Sequence, residues 1–167
     1  IMSSDWSSDV CSSDLANTYT QINIHAIFAV QGRENIIFQK YREELFKYIT
    51  GILNHHRQFS LAVNGDRDHV HVFFEMHPTI ALSDVIRIVK SNSSKWINER
   101  KFVKGKFTWQ EGYGAFSYSR SQRNKVIKYI MNQEKHHNKK TFKEEYLNLL
   151  KKFQIDFDDH YVFEFYD

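Results

Sequence analysis

The chain has 167 residues, 41% of them apolar, 26% charged and 16% aromatic, which suits one domain with a real core rather than two full domains. No stretch approaches the roughly 18 consecutive apolar residues of a membrane span, so a soluble protein with no membrane partner is expected. One cysteine excludes an internal disulfide framework and a Cys-based zinc site, and the net charge of +3 is an average over unlike parts.

Residues 1–15 repeat a Ser-Ser-Asp-apolar unit three times, at Ser3 to Trp6, Ser7 to Val10 and Ser12 to Leu15, with neither helical nor strand periodicity. The segment lacks the basic start and apolar core of an export signal. Back-translated, Asp9 to Leu15 can be written GAC GTG TGC TCT TCC GAT CT, which resembles a sequencing-library adapter. Residues 1–15 are therefore expected to be a non-native, disordered tail, and 16–167 the domain. Cys11 then carries no information about redox compartment.

Thr18 to Val30 alternates and then runs apolar, which predicts a strand buried at one end. Gln39 to His56 places Tyr41, Leu45, Tyr48, Ile49, Ile52 and Leu53 at helical spacing. Phe59 to Val63 and His69 to Met76 predict a hairpin about an Asn64-Gly65 turn. Leu82 to Asn98 is helical through Val85, Ile86, Val89 and Trp96. Phe107 to Tyr118 predicts short strands broken at Gly112 and Gly114. Ser119-x-x-Gln122 is a capping box opening a helix to about Glu134, with Ile127, Ile130 and Met131 expected to face the core. Thr141-x-x-Glu144 opens another helix, carrying Phe142, Tyr146, Leu147, Leu150 and Phe153. This order predicts an α+β fold, ferredoxin-like or RRM-like, with a mainly antiparallel sheet and helices packed on one face.

Charge is divided along the same path. All 23 Lys and Arg fall between Arg33 and Lys152, while residues 155–167 hold five acids and no base. From Arg87 to Lys143 there are 15 bases and three acids, interleaved with Trp96, Phe102, Phe107, Trp109, Tyr113, Phe116 and Tyr118. Such a stretch suits a polyanion with stackable bases, although a solvated lysine face over an aromatic core has the same composition.

The strongest local signal is Asp68-His69-Val70-His71-Val72-Phe73-Phe74. Strand residues two apart share a face, so His69 and His71 stand side by side and form half of a divalent-metal site. Paired surface histidines would give the same pattern. On the helix after Ser119, Lys125, Tyr129, Gln133 and His136 fall within about 80° of arc at 100° per residue, so Tyr129 and Gln133 project together. A tyrosine can act as a covalent nucleophile, and a glutamine offers a neutral oxygen to a metal.

His69-Val70-His71 resembles the HUH motif of single-strand DNA endonucleases. Tyr129-Ile130-Met131-Asn132-Gln133 resembles the Tyr-x-x-x-Gln helix of the single-tyrosine transposases of the insertion-sequence-200-like family. Asn17 to Gln21, Ser91 to Asn98, Trp109 to Ser117 and Gln133 to His137 are similar to members of that family too, so the likeness spans Ala16 to Asp167.

The resemblance implies a DNA transposase that cleaves and rejoins single-stranded DNA at hairpin-bearing element ends. His69, His71 and Gln133 would ligate one Mg²⁺ or Mn²⁺, and Tyr129 would attack the scissile phosphate to give a 5′-phosphotyrosine and a free 3′-hydroxyl. It also implies a homodimer with active sites shared between subunits, acting in the bacterial cytoplasm and at the nucleoid when bound to DNA. Lys90, Lys95, Arg120, Arg123 and Lys125 are the DNA-binding candidates. A domesticated relative acting on repeated palindromes and a non-catalytic binder of single strands or RNA hairpins are the alternatives.

The remaining histidines carry plainer readings. His25 is expected to be a satisfied core or site-adjacent residue, and His55-His56 ends a helix where imidazolium suits the dipole. His77-Pro78-Thr79 is a single H-x-T and lacks the second copy that two-histidine phosphoesterases use. Removal of residues 1–15 is expected to leave the circular dichroism spectrum and the activity unchanged; collapse of either would show that they belong to the domain.

Overall fold

Alternation in two central strands organises the molecule. In a computed structural model of the chain, residues 18–133, 141–158 and 162 are described; the expected tail at 1–15 lies outside them. The elements are β1 (Asn23–Ala29), α1 (Gln39–His55), β2 (Phe59–Gly65), β3 (His69–Glu75), α2 (Leu82–Glu99), β4 (Gly114–Tyr118), α3 (Arg123–Met131) and α4 (Phe142–Lys152). The sheet order is β2-β3-β1-β4 and every pairing is antiparallel. This is the ferredoxin-like βαββαβ order, so the predicted α+β antiparallel class is borne out.

One face of the sheet presents Ile24, Ala26 and Phe28 from β1 and Val70, Val72 and Phe74 from β3. Against them pack Tyr41, Leu45, Ile49 and Leu53 of α1, and Val85, Ile86, Val89 and Ile97 of α2. Each such side chain, fully buried, contributes about 1.5–3 kcal/mol, which makes this layer the main source of stability.

Helices on one face describe α1 and α2 only. The opposite face is covered as well: Val126 and Ile130 of α3 pack on Ala62 and Phe73, and Phe142, Leu149 and Leu150 of α4 pack with Ile27, Ala29 and Phe116. All seven residues of β1 are consequently buried. Helices on one face alone would leave the histidine face open to solvent, but the histidines that occupy it are roofed.

Two further expectations shift. Asn64 and Gly65 do not form the hairpin turn; they are paired strand residues, opposite His71 and Val70. The turn falls at residues 66–68, where Arg42 reaches Asp66 at 3.5 Å and Arg33 reaches Asp68 at 3.1 Å. Those ion pairs come from distant segments, so local turn chemistry could not reveal them. Within Phe107 to Tyr118 only β4 is a strand, and Trp109 makes a single bridge to Val30. Phe107 instead plugs the core, held by two hydrogen bonds between its backbone and the Asn98 side-chain amide at 2.7 and 2.9 Å.

The close approach of β2 and β3 beside His69 is sensitive to a single methyl. A Cβ at Gly65 would lie 2.2 Å from the His69 carbonyl oxygen and 2.9 Å from the Val70 Cα. Gly65→Ala is therefore expected to lower stability to urea by about 1–3 kcal/mol. Gly51→Ala, in α1 with nothing within 4 Å, should be neutral or stabilising.

Candidate active site

Three histidines meet on the roofed face. His25 of β1 and His69 and His71 of β3 are fully buried. His25 Nε2 lies 2.9 Å from His71 Nδ1, with the two rings stacked at 5.2 Å. Burial pushes His25 down to about 3, with the Lys152 charge acting in the same sense, so this imidazole is neutral at physiological pH. His69 Nδ1 lies 2.7 Å from Asp68 Oδ1, and Asp68 Oδ2 accepts from Arg33 at 3.1 Å. Burial alone would raise the Asp68 carboxyl, but His69 and Arg33 outweigh it and hold the group below its usual range.

Helix α3 delivers Tyr129 and Gln133. Arg123 pins its start, donating to Asn23 Oδ1 at 2.7 Å and Glu75 Oε2 at 2.6 Å. Asn64 pins its end through the Ile130 carbonyl at 2.9 Å. The buried stripe is Val126 and Ile130; Met131, expected in the core, is 57% exposed, because the helix phase turns it outward. Tyr129 and Gln133 do project together, as the spacing predicts, and they point inward to the histidines of their own chain. The Tyr129 ring is edge-on to His71 at 6.1 Å, and Gln133 is fully buried.

Both side chains converge on a residue that sequence reasoning missed. Glu145 of α4 accepts a hydrogen bond from the Tyr129 hydroxyl and one from Gln133 Nε2 at 3.0 Å. The same oxygen, Oε1, lies 3.8 Å from His71 Nε2. One turn earlier on α4, Phe142 stacks on His69 at 4.0 Å. A Thr141–Glu144 capping box starts this helix as predicted, so its phase is well determined, yet nothing in the motif marks Glu145. The available signal was a lone acid among the apolar positions of the helix.

Ligand atoms of His69, His71 and Glu145 lie within 4.8 Å of one another. Burial, and next the Asp68 charge, push Glu145 up to about 8. Two imidazole nitrogens and a carboxylate oxygen suit a divalent cation, which would also relieve the repulsion between the two carboxylates. Beside this cluster a cleft of about 250 Å³ is lined by Tyr118, Lys125, Tyr129, Glu145, Asn148 and Lys152, among others.

The basic candidates divide between the two faces. Lys125 lines the cleft, Arg120 is exposed at the turn before α3, and Arg123 is the tether just described. Lys90 and Lys95 lie on α2, across the sheet. The Lys90 ammonium donates to the carbonyls of Gln110 and Gly112 at 2.7 and 2.8 Å, and burial lowers its pKa. Lys95 is exposed and paired with Glu99 at 3.8 Å. His136 lies outside the described residues.

A family model described as "Transposase IS200 like" matches residues 18–133. The chain belongs to the IS200-like transposase family. The match ends at Gln133, so α4 and Glu145 lie beyond it, a narrower span than the resemblance read to Asp167. Among solved structures, this transposase is similar to a candidate transposase from Deinococcus radiodurans R1, with 20% identity and a TM-score of 0.57 over 70% of this chain and 94% of that one. It is also similar to a REP-associated tyrosine transposase bound to a REP hairpin, with 12% identity and a TM-score of 0.52 over 70% of this chain and 68% of that one. At these identities the likeness is one of fold. No curated protein matches. Among the described residues no helix is long and apolar enough to cross a membrane.

The buried carboxyl of this transposase sets a stability term with a definite sign. Folded Glu145 holds its proton up to about pH 8, whereas the unfolded side chain releases it near 4.5. The folded state is thus progressively disfavoured as pH rises between those values, by an amount of order a few kcal/mol at about 1.4 kcal/mol per tenfold change in proton affinity. His25 acts oppositely between about 3 and 6.5, so the informative quantity is the difference from Glu145→Gln. In metal-free denaturant titrations, the variant is expected to gain on the wild type as pH rises from 5 to 8.

Proposed function

We propose that this transposase cleaves and rejoins single-stranded DNA at hairpin-bearing ends, with Tyr129 as the nucleophile and a divalent cation at the histidine pair. The observation that carries the reading is the convergence of Tyr129 and Gln133 on His69, His71 and Glu145 within one buried cluster. His69, His71 and Glu145 would hold Mg²⁺ or Mn²⁺, with the Gln133 amide oxygen available as a further ligand. When bound, the cation would polarise the scissile phosphate and stabilise charge in the transition state.

The protein's own groups do the rest. The hydrogen bond to Glu145 keeps the Tyr129 phenol beside the donor set. Attack of the phenolic oxygen on phosphorus forms the Tyr129–phosphate bond and breaks the bond to the 3′-oxygen, which takes up the proton in the net balance. A 5′-phosphotyrosine and a free 3′-hydroxyl result. The phosphodiester energy is retained, so a second 3′-hydroxyl can displace the tyrosine without ATP. The cleft at Lys125 and Lys152 would receive the backbone next to the scissile phosphate, with Arg120 extending that basic surface.

We assign this activity to a domain spanning 16–167, acting as a homodimer in the cytoplasm. The convergence of Tyr129 on the histidines of its own chain supports a site complete within one subunit. The REP hairpin held by one structural relative supports a hairpin as the DNA partner.

The test is wild-type protein with labelled single-stranded hairpin DNA and Mn²⁺, read as a covalent adduct on a denaturing gel. Tyr129→Phe is expected to abolish the adduct while sparing hairpin binding, and His69→Ala to abolish metal-dependent cleavage. Cleavage by Tyr129→Phe would remove the nucleophile assignment; hairpin binding without any wild-type adduct would favour a non-catalytic binder.

A further inference from the structure

Behind His69 runs a chain of polar contacts for which the reaction itself gives no reason. Asp68 is 9% exposed and uses both carboxylate oxygens: Oδ1 faces His69 Nδ1 at 2.7 Å and Oδ2 faces the Arg33 guanidinium at 3.1 Å. Arg33 follows β1 at the end of a one-turn helix and has φ 54°, a left-handed conformation uncommon for a residue with a side chain. The backbone is stitched around the pair as well. Val30 N donates to the Asp68 carbonyl at 2.7 Å, and Ile37 N to the Arg67 carbonyl at 2.9 Å. Two segments more than 30 residues apart are thereby brought together at His69.

We propose that Arg33 and Asp68 are positioning residues that fix His69 with its proton on Nδ1, so that the Nε2 lone pair faces the cation. This rests on the reading of His69 as a metal ligand. A carboxylate only accepts, so an imidazole nitrogen 2.7 Å from Asp68 carries a proton, and in the form that can ligate a metal the other nitrogen is the electron-pair donor. The negative charge behind the ring strengthens that donor, as outer partners of metal-bound histidines do. Arg33 has no acceptor atom. It therefore holds Oδ2 and prevents the carboxylate from turning away from the ring.

The near-isosteric change Asp68→Asn separates this role from simple packing. An amide has one oxygen, and Arg33 can use only an oxygen. The Asn side chain would give its oxygen to Arg33 and its NH₂ to His69 Nδ1. His69 would then carry its proton on Nε2 and could not ligate through that atom. Replacing Arg33 as well would free the amide to turn its oxygen back to the ring. A merely structural pair would show the opposite order, with the double variant worse than the single one.

The experiment uses the full chain, Mn²⁺ as the probe, and two readouts that do not depend on turnover: calorimetric Mn²⁺ affinity and imidazole ¹⁵N shifts of His69 in metal-free protein. Asp68→Asn is expected to weaken Mn²⁺ binding about 10–100-fold and to move the His69 proton to Nε2. Adding Arg33→Met to Asp68→Asn should restore most of the affinity and return the proton to Nδ1. Wild-type affinity in Asp68→Asn, or no recovery in the double variant, would overturn the proposal. Wild-type Mn²⁺ binding that is indifferent to His69→Ala would instead remove the metal reading. The wild-type spectrum needs no variant to fold: a metal-free His69 protonated on Nε2 is by itself enough to sink the tautomer assignment.

Discussion

The antiparallel pairing of β1 with β3 is the constraint on which the remaining structure depends. Its register sets Ala26 opposite Val72 and Ile27 opposite His71, so that each strand sends alternate residues to the same two sides. One side becomes the aliphatic layer under α1 and α2. The other becomes a plane of imidazoles and aromatic rings. A slip of β3 by one residue against β1 would turn its two faces over, driving His69 and His71 into the aliphatic layer and stripping the site of its histidine pair. Burial of the aliphatic set therefore determines where the chemistry is presented. Stability and site geometry are two consequences of one register.

Covering the histidine face creates the electrostatic character of the site. In water His69, His71 and Glu145 would be ordinary polar groups. Under Phe142, Tyr129 and the aliphatic part of α4 they lose hydration, and the response is visible in Glu145, whose carboxyl is pushed well above its usual range, and in His25, pushed well below. Asp68 escapes this only because His69 and Arg33 supply compensating contacts. The cluster is thus a set of donors held apart from solvent in which an added positive charge would be strongly favoured.

Most of this was legible in the sequence wherever the signal was local. The strand alternation around His69-Val70-His71, the helical interval from Tyr129 to Gln133 and the capping box at Thr141 each follow from short-range geometry, and each appears where the spacing places it. What was not legible came from contacts between distant segments. Arg33 and Arg42 fix the hairpin turn at residues 66–68, although Asn64-Gly65 is the stronger turn dipeptide. Asn98 pulls Phe107 into the core in place of a strand. Glu145 joins the site because α4 folds back over the sheet, and no periodicity within α4 tells which surface its buried face will meet. Likewise Lys90 reads as a free cation in a basic stretch, while its ammonium closes a loop of the chain.

The two tethers of α3 have a consequence for how this segment can vary. Arg123 is held at one end and the Ile130 carbonyl at the other, an interval of about two helical turns. Between fixed ends a helix behaves as an indexed shaft: side chains can be exchanged, but inserting or removing one residue turns everything beyond it by about 100°. Tyr129 sits just inside the second tether, so such a change would swing its hydroxyl off Glu145 and away from the histidines. Within this interval composition is free to drift at Asn124 and Lys128, both exposed, whereas length is not. The spacing is itself the quantity that the two tethers fix.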